Sequence, residues 1–145
     1  MKWVTRARPK TDRIACPWLI RRYIDPEATF NFVPAGEVLS FADREGATSF
    51  DALDARYAHR DGLCTFEVLI ADHGLDGTDA ALDELARIVH AADIAGEEHT
   101  HPFGATVSAI GTAGLDVEED DHRLLERGLF LYDALYAWCR NARAG

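Results

Sequence analysis

Residues 65–95 read TFEVLIADHGLDGTDAALDELARIVHAADIA, and the spacing of their apolar positions decides the fold class. Phe66, Leu69 and Ile70 recur on one helical face behind Thr65, a residue type that caps helix N-termini, and Gly74 stops the run. Thr78 or Asp79 caps a second helix, whose Leu82, Leu85, Ala86, Val89 and Ala92 form an apolar stripe ending near Gly96. Downstream, Pro102 opens a segment of small residues through Gly111. The clearest stripe follows in Leu124, Leu125, Leu129, Tyr132, Leu135, Tyr136 and Cys139, with acidic Glu118 to Asp121 at the positive end of the helix dipole.

Upstream, the periods are shorter. Trp3 to Thr5 reads as a strand before the turn Arg8-Pro9-Lys10, and Thr29 to Val33 alternates until Pro34. Arg56 to His59 reads as a further short strand before the turn Asp61-Gly62. Glu37 to Arg44 is a short helix closed by Gly46. In the stretch DRIACPWLIRRYID, residues 12–25, Pro17 suits a first turn, so a helix is expected over Trp18 to Ile24. The fold expected is α+β and predominantly α-helical, with a small sheet of two or three short strands near the N-terminus. At 145 residues and 48% hydrophobic content, the chain suits one domain spanning 1–145.

The formal charge of −10 is unevenly spread: residues 1–22 carry net +6 and the remainder −16. So acidic a body excludes duplex nucleic acid as a partner of this chain alone, because phosphate neutralisation needs a broad basic surface. A small anion at one basic locus is compatible with it, as is docking of the basic segment on the acidic body. No leader pattern and no membrane-length apolar run stand in the sequence, so a cytoplasmic protein without membrane contact is expected. Cys16, Cys64 and Cys139 fit neither a zinc knuckle nor a disulfide framework and read as reduced thiols.

Two segments carry ligand-type residues. In HRDGLCTFE, residues 59–67, a tight turn brings His59 toward Cys64 and Glu67. In VHAADIA, residues 89–95, His90 and Asp93 stand three apart on one helix. His59, Glu67, His90 and Asp93 together would suit divalent zinc, iron or manganese better than copper(I). The competing reading is a set of hydrogen-bonded, half-buried histidines. The run Glu97 to His101 reads mostly as a solvated loop, and His73 as a helix C-terminal cation. Cys64 beside His59 and a helix start is a candidate reactive thiol, against the commoner buried structural cysteine. Cys16 and Cys139 read as core. No phosphate loop, dinucleotide fingerprint or serine elbow occurs, which excludes a nucleotide cofactor.

RPKTDRIACPWLIRRYIDPEATF, HRDGLCTFE, ARIVHAAD and LYDALYAWCR, taken together, resemble the C-terminal domain of ChrB-type chromate resistance proteins, from about Arg8 to Arg140. Matching positions are Asp12, Arg13, Cys16, Trp18, Arg21, Asp25, His59, Cys64, Glu67 and Asp93. Longer members carry an N-terminal region for regulation and DNA contact that has no counterpart in these residues. The resemblance implies a chromate resistance protein that binds an oxyanion or divalent metal as sensor or accessory factor. A small metal-dependent detoxifying enzyme built on the His/Glu/Asp site is the alternative. Chromate is a tetrahedral dianion needing charged N–H donors, which Arg13, Arg21 and Arg22 would supply with Asp12 and Asp25 holding the guanidinium groups. The same arginines would equally serve as ion pairs fixing the helix to the acidic body. The aromatics of the last helix leave room for a homodimer contact.

Overall fold

The computed structural model describes residues 1–144. Its sheet has three strands in the order β2-β1-β3, all parallel: β1 is Lys2–Arg6, β2 Thr29–Val33 and β3 Thr48–Ser49. The central strand is covered on both faces, as parallel sheets require. Trp3 joins Phe30 and Phe50 in the main core, while Val4 packs with Val38 and Ala52 beneath α2, Val38–Glu45. Gly46 ends α2 in the left-handed region at φ 64°, where glycine carries no Cβ penalty.

Two local expectations need correcting. The helix around Pro17 does not start there. It runs Asp12–Leu19 (α1), with Pro17 its sixth residue, and passes into a π turn over Ile20–Ile24. Pro17 has no N–H to return to Arg13, and the chain beyond it closes one residue wider, Asp25 N donating to Ile20 O at 2.7 Å. The third strand is Thr48–Ser49 rather than Arg56 to His59. The latter makes only a single parallel bridge, Phe50 to Tyr57, before the chain turns through Asp61 and Gly62, both at positive φ.

The remaining helices follow the apolar stripes: α3 Thr65–Asp72, α4 Ala80–Asp93, α5 Gly104–Gly114 and α6 Asp121–Ala144. Buried Leu82, Leu85, Ile88 and Val89 of α4 meet Leu124, Leu125, Tyr132, Tyr136 and Cys139 of α6 in the same core as Ile14, Trp18 and Leu19 of α1. His101 departs from the solvated loop expected for it. It is buried, its Nε2 lies 3.2 Å from Glu84 Oε2, and Phe103 N donates to its Nδ1.

The close approach of α6 to α1 depends on Gly128, where a Cβ would stand 2.7 Å from Ile14 Cγ2 and 2.9 Å from Ile14 Cδ1. Alanine in a helix is ordinarily better than glycine by about 0.8–1.0 kcal/mol. Ile14 meets the added Cβ with its branched Cγ2, which moves clear only by turning a stiff χ1, and such overpacking costs roughly 1–3 kcal/mol, so the clash wins. Gly128→Ala is therefore expected to lower the melting temperature, as read by circular dichroism.

Candidate metal centre

Three segments that are distant in sequence converge where α1 meets α3. Asp12, the first residue of α1, is fully buried and turns its carboxylate onto the N-terminus of α3. Thr65 N donates to its Oδ2 at 2.8 Å and Phe66 N to its Oδ1 at 3.0 Å, while Cys16 Sγ lies 3.4 Å from Oδ1. A carboxylate is held well at orphan helix N–H groups. Thr65 is therefore the first residue of α3 and not its cap: the cap position is Cys64, whose N–H is accepted by Glu67 Oε1.

His59, on the segment between β3 and α3, points Nε2 at three carboxylates: Asp93 Oδ2 at 2.9 Å, Asp51 Oδ1 at 3.5 Å and Asp12 Oδ2 at 3.6 Å. One ligand atom from each of Asp12, His59 and Asp93 lies within 4.8 Å of the other two. Asp51 is held next to them, accepting from Thr65 Oγ1 at 2.9 Å and from Arg6 at 3.3 Å. Burial, then the charges of Asp51 and Asp93, raises the Asp12 carboxyl above the usual carboxylate range. Hydrogen bonding to Asp12 and Asp51 pushes His59 up to about 10. Burial raises Asp93 as well, with the Asp51 charge second. For Asp51 burial is outweighed by hydrogen bonds with His59 and Thr65 and by the charges of Arg6 and Arg13, and its carboxyl is lowered.

Beside this cluster lies a cleft of about 230 Å³ lined by Arg6, Lys10, Arg13, Asp51, His59 and Asp93. Arg13 donates through Nη1 to Ala7 O at 3.2 Å. Its buried Nε stands 3.5 Å from Asp51 Oδ2 and makes no hydrogen bond among the described residues.

The four ligand candidates read from the sequence do not share one centre. His59 and Asp93 belong to the cluster just described, whereas Glu67 and His90 pair with each other, His90 Nδ1 on Glu67 Oε1 and Nε2 3.0 Å from Glu97 Oε2. Both nitrogens of His90 thus already face carboxylates, which ties α3 and α4 to the loop at residue 97. Nor do the three arginines converge. Arg13 faces the cleft, Arg21 reaches Glu126 at 3.1 Å and lies over the Phe30 ring, and Arg22 stacks on Trp18 and Tyr136. The π turn at Ile20–Ile24 sets these last two apart. Asp25 takes the indole N–H of Trp3 rather than an arginine.

Cys64 is fully buried, and burial followed by the Asp12 and Glu67 charges drives its thiol well above the ordinary value. The lowering expected from the helix N-terminus is overridden. Cys16 is raised by burial too, and Cys139 to about 11. None of the three is expected to react with iodoacetamide at pH 8 while the protein is folded, and all three after unfolding in urea, as counted by intact-mass spectrometry.

Asp12 and Asp51 complete the cluster, and neither was singled out as a ligand from spacing. Asp12 carried a signal, the single acid within the strongly basic residues 1–22. Asp51 carried none.

The family model described as "ChrB, C-terminal domain" matches residues 3–139. Protein ChrB of Cupriavidus metallidurans is 35% identical over 135 residues, covering 93% of this chain and 40% of that protein. The chain thus spans about two-fifths of the length of that relative. No solved structure matches it.

Proposed function

The chain belongs to the ChrB C-terminal domain family, and from that premise we propose that it serves chromate resistance by holding a divalent metal ion on Asp12, His59 and Asp93, with an oxyanion beside it on Arg13, Arg6 and Lys10. The observation carrying this reading is the convergence of three ligand atoms, one each from α1, the segment before α3 and the end of α4, within 4.8 Å of one another. Two carboxylates and an imidazole suit manganese, iron or zinc better than soft-metal chemistry. Arg6, Lys10 and Arg13, which line the cleft, bring positive charge and N–H donors for the anion. Metal and anion together would fix α1, α4 and the segment at His59 against one another, which is the form a sensor or accessory domain requires.

A small metal-dependent enzyme is the second reading, favoured by the ligand count. Three protein ligands leave coordination positions open, where a divalent ion would polarise a bound oxygen. Both readings are tested in a chromate-sensitive bacterial host: expression of the parent chain is expected to raise the chromate concentration tolerated, and His59→Ala to remove that protection at equal protein level. Equal protection by the variant would contradict the site. Turnover of chromate by the purified metal-loaded protein would select the second reading over the first.

A further inference from the structure

Asp12 is delivered to the cluster by a backbone conformation that its predecessor does not ordinarily adopt. Lys10 to Arg13 close a turn, Arg13 N donating to Lys10 O at 3.1 Å. Thr11, the second residue of that turn, stands at φ 45° and ψ −104°. Those angles belong to the turn position that glycine dominates, and a β-branched residue there is strained. Arg8, Asp51, Asp54 and Asp61 also have positive φ, but Thr11 alone among these five is β-branched. It is also buried.

Three elements hold it there. Thr11 O accepts from Ile14 N at 3.0 Å and Ala15 N at 2.8 Å, which starts α1, and from the buried Tyr132 hydroxyl of α6 at 3.3 Å. From α5, Gly111 lets the turn approach so closely that a Cβ on it would lie 2.8 Å from Thr11 Oγ1 and 3.2 Å from Thr11 N. The strained neighbour of the ligand carboxylate is therefore clamped by α5 and α6.

We propose that the turn at Thr11 positions Asp12: α5 and α6, through Gly111 and the Tyr132 hydroxyl, hold its backbone in this conformation and so aim Asp12 at the metal. The proposal rests on the metal-binding reading of the cluster. Strain retained where the surrounding structure over-determines it is a mark of functional sites, because it pre-organises a group that would otherwise relax away. It follows that loosening the clamp should harm the site more than the fold, whereas glycine at position 11, which favours the same angles, should keep both the turn and the site.

The test is titration of the metal-free full chain with Co²⁺, followed by visible absorption, together with thermal melting, for the parent, Thr11→Gly and Tyr132→Phe. Thr11→Gly takes these angles without strain and is expected to melt no lower than the parent and to bind Co²⁺ as the parent does. Tyr132→Phe keeps the ring and loses only the hydroxyl that holds Thr11 O, and is expected to bind Co²⁺ about 10-fold more weakly, the range seen when groups supporting metal ligands are removed, with an altered absorption band. Unchanged affinity and spectrum in Tyr132→Phe would overturn the positioning role while leaving the metal reading intact. Parallel loss of melting temperature and affinity would reduce the turn to a structural one and overturn it as well. A parent protein that binds no Co²⁺ would overturn the metal reading and, with it, the role given to Thr11.

Discussion

Asp12→Ala is expected to destabilise the protein by about 3–5 kcal/mol, the range for removing one member of a buried charged network, and to abolish metal binding. The carboxylate is fully buried and satisfies two helix N–H groups, Thr65 and Phe66, neither of which would find another acceptor at that junction. Because this side chain ties the start of α1 to the start of α3, urea unfolding should register the loss. Asp12→Asn separates the two roles. The amide keeps one acceptor oxygen and places an NH₂ toward the other N–H, so the fold is expected to lose about 1–2 kcal/mol, close to one unsatisfied hydrogen bond. A neutral amide is a poor ligand for a divalent ion held otherwise by one carboxylate and one imidazole, and Mn²⁺ affinity is expected to fall at least 100-fold, on the order of the cost of removing a metal ligand's charge. Comparison of urea midpoints with Mn²⁺ titrations across the parent, Asp12→Asn and Asp12→Ala checks both parts.

The second large effect is in pH. His59 is held protonated to about 10 by Asp12 and Asp51, yet only the neutral imidazole ligates a metal. Metal binding must therefore expel a proton throughout the neutral range, and affinity should rise by at least about tenfold per pH unit from pH 6.5 to 8.5, since the raised Asp12 and Asp93 carboxyls also give up protons toward the acid end. The metal-free protein should behave in the reverse sense. A histidine raised from its ordinary 6.5 contributes stability that is fully present below pH 6.5 and is lost as pH climbs through about 10. The thermal shift produced by saturating Mn²⁺ should accordingly widen with pH between those limits, and in His59→Ala it should vanish. Differential scanning calorimetry at pH 6.5 and 8.5, with and without Mn²⁺, reads both slopes.

Most of the helical body was legible because its signal is local. The stripes of α4 and α6 repeat over enough turns to be unambiguous, and Gly46, Gly74 and Gly96 all adopt the positive φ expected of chain stops. The sheet was legible only in part. β1 and β2 have a strand's period, whereas β3 is two residues long and exists because β1 offers an edge to it, a tertiary fact with no period to read. The Pro17 helix was misplaced for a related reason. Burial of Ile14, Ala15 and Cys16 in the core sustains a helix across a proline that local propensity would set in a first turn.

The candidate site was half legible. His59 and Asp93 stood out as chemistry-bearing types in a tight turn and on a helix. Their partners did not, because Asp12 owes its place to the strained turn at Thr11 and Asp51 to a positive φ at the end of β3, neither of which leaves a spacing. His90 shares α4 with Asp93, but it and Glu67 satisfy one another across α3 and α4. The arginine cluster dispersed because one wide turn after Pro17 sends Arg21 and Arg22 to Glu126 and Tyr136.

The metal-binding reading places one divalent ion on Asp12, His59 and Asp93. It is tested most directly by the metal content of the chain purified without affinity tag or chelator, measured by mass spectrometry for the parent, His59→Ala, Asp93→Ala and, as a control outside the cluster, His90→Ala. Close to one manganese, iron or zinc per chain is expected in the parent and in His90→Ala, and loss of it in the other two. Metal retained in His59→Ala and Asp93→Ala, or lost only in His90→Ala, would contradict it.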